Sequence, residues 1–121
     1  MKMSDFIGLM FQARDVAHSV HLNTSSYSRH MALNQFYDDV IDAADAVTEI
    51  YQGMTGTLIG PISIPPYSGG EDILSYLQNQ LNELQQARYV VCDKDNTVVQ
   101  NKIDEAMAVY AEAIYKIKFL G

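Results

Sequence analysis

The chain has 121 residues, a formal charge of −7 and 48% hydrophobic residues. That length suits one domain with a modest core, the apolar content excludes a disordered polymer, and the acidic balance excludes the basic footprint of a nucleic-acid binder. No apolar run reaches the ~18 residues of a membrane span, and the opening MKMSDFIGLM is a poor signal peptide. One cysteine, Cys92, leaves no internal disulfide. These features suit a soluble cytoplasmic protein with neither membrane nor nucleic acid as partner.

Phe6, Met10, Ala13, Ala17 and Val20 recur every three or four residues, which predicts a helix over 4–22, with Ser4 or Asp5 capping its start. Ile7, Phe11, His18 and Leu22 form a second stripe, so this helix offers a second partner face. Asn23-Thr24-Ser25-Ser26 breaks it. A second helix over 27–52 follows from Leu33, Phe36, Val40, Ala44, Val47 and Tyr51, with Gly53 placed to end it.

Residues 53–69, GMTGTLIGPISIPPYSG, are rich in glycine and proline yet mostly apolar. Pro61, Pro65 and Pro66 argue against a central strand, and so long a connection suits a crossover. Ser68 and Glu71 read as a capping box for a third helix over 71–92, carrying Leu74, Leu77, Leu81, Leu84, Arg88 and Val91. After the turn Asp93-Lys94-Asp95-Asn96, Thr97 and Gln100 read as a second box for a fourth helix over 97–119. The order is therefore all-α: a single-domain, ferritin-like four-helix bundle with one long crossover between its second and third helices. An up-down bundle with an elaborate loop is the alternative.

All three histidines lie in HSVHLNTSSYSRH, residues 18–30. The second helix carries a further stripe of His30, Asn34, Tyr37, Ile41, Asp45 and Glu49, in which Asp45 and Glu49 are i, i+4 neighbours able to converge. Imidazole with carboxylate suits Fe(II), Mn(II) or Zn(II). His30 and Asp45 stand fifteen positions apart, roughly 22 Å along one helix at ~1.5 Å per residue. A metal shared by His18, His21 or His30 with Asp45 and Glu49 therefore requires two chains packed antiparallel. The competing reading is a polar helix–helix corner, with His18 and His21 complementing a helix C-terminus.

The stretch AHSVHLNTSSYSRHMALNQFYDDVIDAADAVTE, residues 17–49, resembles the first two helices of the mini-ferritins (Dps proteins). The resemblance implies an oligomer, at least a two-fold dimer, with iron held between histidines of one subunit and an Asp-x-x-x-Glu pair of another. His18, His30, Asp45 and Glu49 match the family's steps of twelve, fifteen and four, while His21-Leu22-Asn23 is similar to its His-Trp-Asn, so His18 and His21 both compete for the first ligand place. Asn34 stands where the family has Asp, Leu22 replaces its Trp, and the basic tail and any Glu-x-x-His are missing. The implied activity is at most that of a degenerate ferroxidase. HLNTSSYSRHMALNQFYDD is also similar to small uncharacterised bacteriophage proteins, which would place the chain in a host cytoplasm. The alternative function is a catalytically inactive interaction or structural protein that works through its first helix and the apolar LIGPISIPPY.

Asp38, Asp39 and Asp42 read as a solvated face, as do Asp104, Glu105 and Glu112. Asp93-Lys94-Asp95 lacks the glycine and glutamate of a calcium loop. Cys92 reads as a buried thiol rather than a nucleophile, and Tyr37 as a residue supporting the ligands of a metal.

Overall fold

A computed structural model describes all 121 residues as four α-helices and no strand. They are α1 (Met3–Asn23), α2 (Tyr27–Thr55), α3 (Ile73–Val91) and α4 (Thr97–Phe119). Each helix packs on two others, in the cyclic order α1, α2, α4, α3, which places α1 across from α4 and α2 across from α3. Arg29 reaches Asp72 at 3.6 Å, which sets the start of α3 beside the start of α2. Those two helices therefore run the same way along opposite edges, and residues 56–72 cross the length of the bundle between them. No helix is long and apolar enough to cross a membrane.

The apolar stripes meet in one buried cluster. Phe6, Met10, Ala13 and Ala17 of α1 face Leu33, Phe36, Val40, Ala44 and Val47 of α2, joined by Leu77 and Leu84 of α3 and by Val99, Ile103, Ala106 and Tyr110 of α4. The second stripe of α1 is not a free face. Ile7 is fully buried, Phe11 packs on the core, and His18 stacks on Tyr37 of α2, leaving only Leu22 exposed. Tyr37 covers the His18 end of this stripe from α2.

The helix ends differ from the sequence reading. Lys2 holds the N-cap position of α1, and Asp5 reaches back to accept from its backbone N–H at 2.8 Å. Gly56, at φ 70°, ends α2 three residues beyond Gly53. The α3 cap is Asp72, whose carboxylate accepts from Leu74 and Ser75, so Ser68 and Glu71 form no capping box. Asn96 caps α4, and Gln100 is turned inward instead of closing a box with Thr97.

The crossover lies along α1. At Gly8 a Cβ would overlap the Ser63 carbonyl oxygen. Four residues on, the Gln12 side-chain amide donates to the Pro65 carbonyl at 2.8 Å. From Gln12 a chain of polar groups runs into the core. Its Oε1 accepts from the Tyr76 hydroxyl at 2.6 Å, and Tyr76 in turn accepts from Gln80 Nε2 at 2.9 Å. Gln80 Nε2 also reaches the Leu9 carbonyl at 2.8 Å, and its Oε1 accepts from the Tyr110 hydroxyl at 2.6 Å. Tyr110 is wholly buried, so this run ties α4, α3, α1 and the crossover together with no buried side-chain polar atom unpartnered.

A second polar clamp fixes the α3–α4 turn. Arg88 donates to the Gln100 side chain at 2.9 Å and to Asp104 at 2.6 Å, while Gln100 Nε2 donates to the Arg88 and Cys92 carbonyls at 3.0 and 3.1 Å.

Two glycine substitutions should act in opposite directions. Gly8→Ala should lower stability by about 1–3 kcal/mol, because the crossover backbone must retreat. Gly53→Ala, inside α2 with open space around it, should raise it by about 0.5–1 kcal/mol; chemical denaturation of both variants checks the pair. Gln80→Leu should cost about 1–3 kcal/mol by stranding the Tyr110 hydroxyl, and adding Tyr110→Phe should recover part of that loss.

Alkaline pH provides a further test. Burial, then the neighbouring Tyr76, pushes the Tyr110 hydroxyl well above its ordinary value. Tyr76 is raised by burial and then by Tyr67, Glu71 and Glu83. The fold thus favours both neutral forms. Their contribution is complete below the unfolded value of about 10 and is lost as pH rises from there through the raised folded values. In an ultraviolet titration, two of the eight tyrosines should ionise only together with loss of the helical circular-dichroism signal.

Candidate functional site

The first hairpin brings the three histidines together. His18 and His21 stand in the last turns of α1, and His30 in the first turn of α2. The connection is short and internally bonded. Thr24 Oγ1 accepts from the Ser26 backbone at 3.1 Å, and Ser26 Oγ caps α2 by accepting from Arg29 at 3.3 Å.

The rings of His21 and His30 stack with centroids 3.7 Å apart and planes 18° from parallel. Each ring also bonds the other residue's main chain: His21 Nδ1 donates to the His30 carbonyl at 2.7 Å, and His30 Nδ1 to the His21 carbonyl at 3.0 Å. A carbonyl oxygen only accepts, so Nδ1 carries the proton in both rings, and in the neutral ring Nε2 holds the lone pair. His21 is buried, and His18 and His30 are half-buried.

Tyr37 closes the group from α2. It stacks on His18 at 4.3 Å and meets His21 edge-on at 5.3 Å. Arg14 lies over its ring at 5.7 Å, and its hydroxyl donates to Asn34 Oδ1 at 2.8 Å. Asn34, where the mini-ferritin pattern has a carboxylate, therefore orients Tyr37. Tyr27 stacks more loosely on the outer side of His30, at 6.5 Å.

Asp45 and Glu49 lie elsewhere. They continue an exposed row down α2 that begins with Asp38 and Asp42, and none of the four joins an ion pair. No group of three or more histidine, cysteine or carboxylate side chains is placed so that it could hold a metal ion within the chain. Within one chain the donors do not fit an iron site, because the imidazoles face one another and their carboxylate partners are far down the helix. Cys92 is buried, and burial, with Asp93 beside it, pushes its thiol up, away from the reactive thiolate.

The residues that sequence reasoning missed as polar centres are Gln12, Gln80 and Gln100. Their signal was positional. Gln80 falls three residues after Leu77 and four before Leu84, on the buried side of α3.

No solved structure matches this chain. An uncharacterised 14.6 kDa protein from the mobD–ri intergenic region of Enterobacteria phage T4 is 36% identical over 67 residues, which is 55% of this chain and 52% of the relative. The chain thus covers about half the length of that curated relative. Residues 21–117, which include His21, His30, Tyr37, Asp45 and Glu49 but not His18, match a Family of unknown function (DUF5856), and the chain belongs to that family.

Proposed function

We propose that this is a non-catalytic, phage-type helical protein that works by binding other protein surfaces, built on a ferritin-like arrangement of helices. The histidine pair carries the reading. The one place where ligand-type side chains gather is closed upon itself, ring on ring and Nδ1 on carbonyl, in a way that joins two helices. Large apolar side chains meanwhile stand exposed at both ends of the bundle, among them Leu22, Tyr27 and Phe119 at one end and Leu58 and Val90 at the other. Similarity to a protein of phage T4 supports an origin of this kind, with the host cytoplasm as the place of action.

A second reading retains a metal. Both Nδ1 atoms are taken, which leaves the Nε2 lone pairs, and Asp45 and Glu49 have no cation partner in their own chain. Two chains packed antiparallel would set His18, His21 or His30 of one against Asp45 and Glu49 of the other, with Fe(II) or another divalent ion between them.

Metal content and mass in solution, measured on one sample with and without added Fe(II), separate the two. The first reading expects no retained iron and no iron oxidation. His30→Ala should then cost about 1–2 kcal/mol through the lost stack and hydrogen bonds, while Glu49→Ala stays within ~0.5 kcal/mol. A dimer with stoichiometric iron that both substitutions abolish would establish the second reading and sink the first.

A further inference from the structure

A groove of about 510 Å³ lies between the C-terminal half of α1 and residues 64–71 of the crossover. Three features define its chemistry. Val16, Val20 and Ile64 give it apolar surface, while Asp15 and Glu71 place two carboxylates on its lining. No lysine, arginine or histidine lines it. Asp15 is paired only with the exposed Arg14 at 3.1 Å, and Glu71 accepts from Asn79 at 2.9 Å but has no cation partner.

The outer wall is main chain. None of the nine backbone–backbone hydrogen bonds outside the helices involves a residue between Thr57 and Glu71. The Pro65 and Pro66 carbonyls are taken by Gln12. The main-chain groups of Tyr67, Ser68, Gly69 and Gly70 are bonded to nothing else in the protein, and the two glycines, at φ 85° and 86°, have open space where a side chain would stand. The wall is nevertheless held in place, because Gln12 ties it to α1 and Tyr67 packs edge-on against Tyr76 at 5.0 Å. A preformed wall lowers the ordering cost of binding.

We infer that this groove binds an extended segment of another protein carrying arginine or lysine beside apolar residues. The segment's main chain pairs with residues 67–70, its apolar side chains lie on Val16, Val20 and Ile64, and its cation meets Asp15 and Glu71. Gly69 and Gly70, at positive φ, give no regular strand edge, but unbonded N–H and C=O groups beside an apolar floor offer a peptide's main chain hydrogen bonds, and the carboxylates select a basic occupant. The overall charge of −7 steers basic partners inward and opposes a second copy of the same chain. The inference rests on the interaction-protein reading and names its surface and partner chemistry.

The test uses the full chain and a displayed library of random dodecapeptides. Selected peptides should be enriched in arginine and lysine, should shift the amide signals of Ser19, Gly69 and Gly70 in nuclear magnetic resonance spectra, and should bind more weakly at high salt. Asp15→Asn with Glu71→Gln should weaken them about tenfold. Ser19→Arg, an exposed position that would place a cation in the groove, should abolish binding while leaving the melting temperature unchanged. Failure to select any peptide, or a consensus without basic residues, overturns the inference. Peptides that shift signals around Met31 and Leu120 instead would overturn the groove but leave the interaction reading standing. Concentration-dependent shifts of the groove signals without peptide would assign it to a second copy and overturn the inference as well. Stoichiometric iron in a dimer would bring down the underlying reading separately.

Discussion

The crossover must travel from the end of α2 to the start of α3, and everything else in the bundle is arranged around where it lies. It cannot pass through the core, because a chain with three prolines and no ladder to join would bury unpaired backbone there. It lies on α1 instead. Gly8 allows its backbone to come close, and Gln12 donates to the Pro65 and Pro66 carbonyls at 2.8 and 3.4 Å. The consequence reaches inward. Gln12 accepts from Tyr76, Tyr76 from Gln80, and Gln80 from Tyr110, so the position of a surface segment is communicated to the most buried hydroxyl in the protein.

The histidine pair performs a comparable role at the first hairpin. A helix C-terminus and a helix N-terminus meet there with several main-chain groups outside the helical ladder. Two imidazoles, each donating to the other's carbonyl, tie the two ends reciprocally, and their stacking fixes the angle at which α2 leaves. A hydrophobic pair would supply the packing without the hydrogen bonds. Histidine supplies both. That is a sufficient structural reason for His21 and His30, and Tyr37 gives His18 one as well. Asp45 and Glu49, exposed on α2, have no ion-pair partner within their own chain.

Helical periodicity made most of the core legible. Leu33, Phe36, Val40, Ala44 and Val47 are all buried, as are Val99, Ile103, Ala106 and Tyr110. It failed where a polar residue occupies a core register. Reading α3 through its leucines put Leu74 and Leu81 on the core side, where both pack half-buried against the core, but it passed over Tyr76 and Gln80, which with Leu77 form the buried centre of that face. A pattern built on apolar residues passes over a glutamine whose amide is satisfied internally. The caps shifted for a related reason. Ser, Thr, Asp and Asn crowd each boundary, and which of them caps depends on where the tertiary contacts let the helix begin: Arg29 beside Asp72, and Gln100 drawn under the α3–α4 turn. For the site, spacing placed the three histidines at one corner and the two carboxylates away from them. What no spacing gives is the ring geometry, because mutual Nδ1–carbonyl bonds depend on how two helices meet.

The same crossover that organises the fold also leaves its most distinctive surface. A segment held by a glycine contact, one glutamine and one tyrosine edge has a fixed path but few main-chain partners, so its later part presents ordered, unpaired backbone beside Val16 and Val20 of α1. A mobile loop would have to be ordered at the moment of binding, whereas this one is already positioned. Its prolines protect the earlier part against indiscriminate strand pairing, since Pro61, Pro65 and Pro66 have no N–H to offer. Pairing is thereby confined to residues 67–70, next to Glu71 and opposite Asp15. Lying on α1 with its later part open to solvent, the crossover is both the strap of the bundle and the edge on which a partner can be read.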